Sequence, residues 1–107
     1  MGQPAADQER RSDADLVRAA ADGDAGALKE LYDAHAPWLH ARLMKRCNDR
    51  EVVVDTVQDT FLAVWRQGGS WRGDGEVAGW LWGIAFRTMV SRLRRTLTDS
   101  RTTEGWS

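Results

Sequence analysis

The chain has 107 residues, 42% apolar and 29% charged, with two prolines, ten glycines and one cysteine. That composition describes one small globular domain, burying about 65% of its unfolded surface, and excludes collagenous or low-complexity sequence, a disulfide scaffold and a CxxC metal site. The formal net charge of −1 hides an asymmetry, because residues 1–59 carry 8 Lys/Arg against 12 Asp/Glu while residues 60–107 carry 7 Arg against 4 Asp/Glu.

An acidic half joined to a basic half suits two charged partners, or one partner with two faces. A solvated surface of uneven charge is the plainer account. No apolar run nears the roughly 18 residues of a membrane helix. The polar N-terminus lacks the apolar stretch of a secretory signal, so the expected location is cytoplasmic, with no membrane partner. Residues 1–11 read as a disordered lead-in. Residues 12–97 read as one all-α domain of four helical segments, since period-2 alternation is absent.

Ser12 is placed to cap a first helix, with Asp13 and Asp15 in the first turn where the helix dipole favours acids. Asp22-Gly23-Asp24 ends it, and Asp24 can cap the second segment, residues 25–47. There Leu28, Leu31, Tyr32, His35, Leu39, Leu43 and Cys47 recur at spacings of three and four, with Trp38 beside them. Pro37 is expected to kink or split this segment. Asn48-Asp49 is the next break.

The third segment spans residues 50–67. Val53, Val57, Thr60, Phe61, Val64 and Trp65 form its expected core stripe. Glu51, Asp55, Gln58, Asp59, Leu62 and Arg66 fall on the opposite side. A solvated face normally mixes signs or supplies i,i+4 ion pairs. Acids grouped around an exposed leucine also make a docking patch for a basic partner.

Residues 68–76, GGSWRGDGE, form a glycine-rich loop. It lacks the GxxxxGK[ST] spacing of a phosphate loop, and no strand precedes it. Trp71 and Arg72 offer a stacking face and a cation, while Asp74 and Glu76 offer acceptors. That set suits an unstacked nucleobase. The alternative is an ordinary connection with Trp71 folded into the core.

The fourth segment, residues 77–97, has the expected core residues Leu81, Ile84, Ala85, Thr88 and Leu93. Trp80 and Trp82 cannot face the same way, so one lies nearer the surface. Arg87, Arg92, Arg94 and Arg95 make its second half basic. That placement favours the helix dipole, and it equally makes a phosphate-tracking surface continuous with the loop. Residues 98–107 read as a tail or the start of a linker.

The order of these features resembles region 2 of the extracytoplasmic-function (group 4) RNA polymerase sigma factors. The resemblance rests on DADLVRAAADGDAGALKELYDAH, DTVQDTFLAVWR and WRGDGEVAGWLWGIAFRTMVSRLRR, and covers residues 13–95. It implies a helical domain of a transcription initiation factor with two surfaces. Asp55, Gln58, Asp59 and Leu62 match the motif that docks on the clamp coiled coil of the polymerase largest subunit. The loop and fourth helix would recognise and melt the promoter −10 element, holding a base flipped out of the non-template strand. The implied DNA-binding residues are Trp71, Arg72, Gly73, Asp74, Gly75 and Glu76 of the loop and Trp82, Arg87, Ser91, Arg94 and Arg95 of the helix. Single-stranded −10 DNA is the expected ligand, rather than duplex.

Trp71 stands where the family usually has Phe, and Arg87 and Ser91 where it often has Asn and Asp. Family members also carry a second, −35-reading domain, which residues after Thr98 are too few to encode, so an excised domain or a short member is expected. Proteins of this family are commonly held inactive by an anti-sigma protein, a possible further partner.

Three other readings stand beside this one. A helical adaptor would bind polymerase or a regulator without DNA, and Arg87 and Ser91 are its support. A homeodomain-like reader would not normally carry the W-L-W start. An enzyme has little behind it: His35 reads as a satisfied core histidine, His40 lacks the i,i+4 spacing of a helical metal pair, and Cys47 reads as a small buried residue. No cofactor or metal is expected.

Overall fold

The computed structural model describes residues 12–71, 73 and 76–106, with side chains through residue 98. Four helices follow one another: α1 Asp13–Ala21, α2 Ala25–Met44, α3 Arg50–Gln67 and α4 Val77–Trp106, with a 3-10 turn at Gly68–Ser70. No strand occurs among the described residues.

Each of the first three helices starts on a side-chain cap. Ser12 Oγ accepts from the Asp15 amide at 3.1 Å, and Asp24 Oδ1 accepts from the Ala27 amide at 3.1 Å. Asp49 Oδ1 accepts from the amides of Glu51 and Val52 at 3.0 and 3.3 Å. Each cap satisfies amides that have no partner inside the helix, which is worth about 1 kcal/mol apiece.

The core is a single cluster drawn from all four helices. Val17 of α1, Leu31, Leu39 and Leu43 of α2, Val53 and Val64 of α3, and Leu81 and Ala85 of α4 are fully buried. Helix α3 is central and packs on α1, α2 and α4. Its two buried threonines bond back along their own helix: Thr56 Oγ1 donates to the Val52 carbonyl at 2.6 Å, and Thr60 Oγ1 to the Thr56 carbonyl at 2.7 Å. The hydroxyls are thereby satisfied without a partner from another helix.

Gly68 shows how tightly the chain turns out of α3. A Cβ there would meet the Val17 carbonyl and the Ala21 Cβ at 3.3 Å. A side chain there would have to push the α1 backbone back by a few tenths of an ångström.

Several expectations about the core are corrected. Tyr32 and Trp65 are exposed, at 41% and 36%. Tyr32 sits at the edge of the α2 stripe and only leans its ring on Phe61, edge to face at 5.1 Å. Trp65 follows the buried Val64 and so turns about 100° away from it. Ala27 and Ala36 on α2 and Thr56 on α3 are buried instead. On α4 the buried positions are Val77, Leu81, Ala85 and Met89, whereas Ile84, Thr88 and Leu93 are half-buried.

Pro37 does not split α2, which runs as one helix through it. The carbonyl that proline leaves unpaired is that of Asp33, on the solvent side where water reaches it. Helix α4 does not stop at residue 97 but continues to Trp106, because no proline interrupts residues 98–106. From Arg94 to Thr98 every side chain is exposed, so this part of α4 leaves the bundle.

His35 is buried and fully engaged, as its place on the apolar stripe suggests. Trp38 Nε1 donates to His35 Nδ1 at 2.8 Å, which leaves Nε2 to donate to Asp13 Oδ2 at 3.0 Å. This chain ties the start of α1 to the middle of α2. Cys47 is buried and free.

Candidate functional site

Two polar surfaces lie on two helices that pack on each other, α3 and α4. The first is the outer face of α3. Asp55, Gln58 and Leu62 are exposed and Asp59 is half-buried beside them. Leu62 is 47% exposed, so its side chain is available for contact.

This face is not a free cluster of acids. Arg92 reaches across from α4, where Nε donates to Asp59 Oδ2 at 2.9 Å and Nη2 closes on the same oxygen. Its Nη1 lies 3.7 Å from Asp55 Oδ2. Arg92 therefore neutralises part of the acidic face and fixes both carboxylates against α4. The carboxylates of Asp55 and Asp59 stay 52% and 36% exposed, beside the exposed Leu62. A partner that offers a cation beside an apolar side chain fits that arrangement.

The second surface begins at the loop. Trp71 is half-buried, packed against the core rather than presented as a free stacking plate. Its ring lies 6.2 Å from that of Trp80, and the Arg18 guanidinium sits 5.7 Å from its centroid. Trp71 Nε1 is buried and has no hydrogen-bond partner among the described residues. Gly73 has φ +82°, a left-handed conformation that favours glycine. Arg72, Asp74 and Gly75 lie outside the described residues. Glu76 is exposed, and its carbonyl accepts the Trp80 amide at 3.2 Å as α4 begins.

Along α4, Trp82 is half-buried and its ring lies 5.9 Å from that of Phe86, which is exposed. Arg87, Ser91, Arg94 and Arg95 are exposed and line one open concavity of about 600 Å³. Trp82, Arg87, Ser91, Arg94 and Arg95 thus follow one another down a single helix. Trp71 does not join them directly, because it packs on Trp80, about 200° round the helix from Trp82.

Three features have no signal in the sequence order. Arg92 pairs with Asp59 across 33 residues. Arg18 covers Trp71 from α1. Arg42 and Arg46 bring their guanidinium carbons to 4.5 and 5.0 Å from the centre of the Trp82 ring. All three depend on which helices become neighbours, and composition or periodicity along one segment does not contain that.

Comparison with known proteins agrees with this architecture. The sequence profile of sigma-70 region 2 matches residues 31–97. The ECF RNA polymerase sigma factor SigM of Mycobacterium tuberculosis H37Rv is 39% identical over 90 residues, covering 82% of this chain and 45% of that protein. SigK of Mycobacterium sp. strain KMS, also an ECF RNA polymerase sigma factor, is 32% identical over 80 residues, covering 74% of this chain and 42% of its own length. No solved structure matches the chain. A helical bundle with an acidic-apolar face on one helix and an arginine-aromatic face on another is, in this sequence context, a sigma-factor domain. The chain belongs to the sigma-70 region 2 family. It spans less than half the length of the curated relatives it matches.

Proposed function

We propose that this domain serves transcription initiation by docking on core RNA polymerase and reading the single-stranded promoter −10 element. Asp55, Gln58, Asp59 and Leu62 on α3 are the polymerase-facing residues, against the clamp coiled coil of the largest subunit. The loop at residues 70–76 and the exposed side of α4 are the DNA-facing surface. The observation that carries the reading is that two unlike surfaces lie on two helices: acids around Leu62 on α3, and arginines with aromatic rings along α4, in a chain of this family.

Trp71 in this reading forms a wall of the base pocket and not an open platform, because the core and Arg18 cover it. Arg72 and Asp74 supply the polar contacts to the flipped base. Arg87, Ser91, Arg94 and Arg95 run beside the strand. With a net charge of −1 the domain attracts duplex DNA weakly, and single strands bind better because the cost of melting is already met.

The test is tryptophan fluorescence titration of this chain with short single-stranded oligonucleotides of varied −10-like sequence. Selective binding that Trp71→Ala and Asp74→Ala both abolish, with circular dichroism unchanged, is the expected result. Binding that is absent, or equal for every sequence, contradicts base capture and favours an adaptor that meets polymerase alone.

A further inference from the structure

Arg42 and Arg46 stand one helical turn apart, on α2 and in the turn that follows it, and both are exposed. Two like charges at this spacing repel one another. Both nevertheless converge on one ring, that of Trp82. Among the described residues neither takes part in an ion pair, and their one mutual contact is a long bond, 3.5 Å, from Arg46 Nη1 to the Arg42 carbonyl. A single guanidinium would suffice to pin α2 to α4 through Trp82. The second adds unneutralised charge over the same ring, and Arg42 and Trp82 line a concavity of about 510 Å³ between the two helices together with Trp38 and Glu76.

We propose that Arg42 and Arg46 form a phosphate-binding site of α2 that carries a single DNA strand past Trp82 and onto α4. This rests on the reading of α4 as the DNA-facing surface and extends that surface to a second helix. Farther along α4, Arg87, Arg94 and Arg95 are likewise exposed, with no ion pair among the described residues. Helical period sets them about 120–140° round α4 from Trp82, and Phe86 bridges the two, standing 5.9 Å from Trp82 and lining the concavity of those arginines.

A nucleic-acid strand supplies both missing complements: phosphates for the guanidiniums, and bases for the rings they now cover. Stacking of a base on an aromatic side chain is comparable to the exposed cation–π contacts it would replace, and the two guanidiniums gain phosphates in exchange, so a base can take their place over Trp82. Glu76, the one acid among the described residues that line the concavity, keeps phosphates to the arginine side and offers an acceptor to an exocyclic amino group.

The test compares the wild-type chain with the double variants R42Q/R46Q and R42K/R46K, titrating fluorescent single-stranded oligonucleotides at several salt concentrations. Loss of two phosphate contacts makes the slope of log K against log salt shallower by about 1.4. The Gln variant is expected to show that change, with binding weakened equally for all sequences, and the Lys variant to restore the slope. A purely structural role for the pair moves thermal stability but not the salt slope. A wild-type slope in the Gln variant overturns the proposal while leaving the function reading intact. Binding of polyglutamate as tight as that of DNA, lost in the same variant, overturns the nucleic-acid assignment. Failure of the wild-type chain to bind any single strand, alone or with core polymerase, removes the function reading and this site with it.

Discussion

Arg92 joins the two proposed surfaces, so its pairing with Asp59 has a measurable energy. The perturbation is Arg92→Met, which keeps the apolar stem, combined with Asp59→Asn in a double-mutant cycle. Arg92 is 29% exposed and places two nitrogens on one Asp59 oxygen, with a third 3.7 Å from Asp55. Fully exposed pairs couple by about 0.2–1 kcal/mol. Partial burial and the doubled contact put this pair at the upper end, a coupling of about 1 kcal/mol. Loss of that coupling alone corresponds to a fall of about 4–8 °C in Tm for a domain of this size. Urea unfolding followed by tryptophan fluorescence gives the four free energies. Raising the salt to about 0.5 M weakens the coupling only in part, because the pair is partly shielded from solvent. A coupling below about 0.3 kcal/mol would refute the view that Arg92 holds the acidic face in place.

The remaining predictions concern packing and docking. Leu39→Ala empties a fully buried site in the second half of α2 and costs about 2–5 kcal/mol, seen as a large drop in the urea midpoint. Trp38→Phe removes the donor to His35 Nδ1 and leaves a buried acceptor unpaired, costing about 1–3 kcal/mol by the same assay. Leu62→Ala, at a half-exposed site, changes stability by less than about 0.5 kcal/mol. It is expected to weaken binding to core polymerase by about tenfold or more if Leu62 anchors that contact, as read by surface plasmon resonance.

Much of the fold was legible because it is written locally. Ser12, Asp24 and the Asn48-Asp49 break mark helix starts through side chains that act within three residues. The limits of α3 follow from its break, its period and the paired glycines after it. The two faces of α3 were also legible, since helical period alone separates Leu62 from Val64. What was not legible depends on neighbours. Tyr32 and Trp65 sit at stripe edges, and which edge is covered is decided by the angle at which another helix packs. Trp71 carried two readings from its loop, stacking plate or core residue. The structure packs it on Trp80 beneath Arg18, contacts that join the loop to α4 and α1. The reach of Arg92 to Asp59 and of Arg42 to Trp82 has the same origin, being pairs distant in sequence that only the assembled bundle creates.

In the proposed reading one domain carries two separable surfaces, one for polymerase and one for the −10 strand. Fluorescence anisotropy of a labelled non-template −10 oligonucleotide tests it most directly, with this chain titrated in the presence and absence of core RNA polymerase. Core polymerase is predicted to tighten binding of the wild-type chain. Asp55→Asn with Leu62→Ala is predicted to abolish that gain while leaving the binding of the isolated chain unchanged. A wild-type chain that gains nothing from core polymerase, or a docking variant that keeps the full gain, would contradict the account.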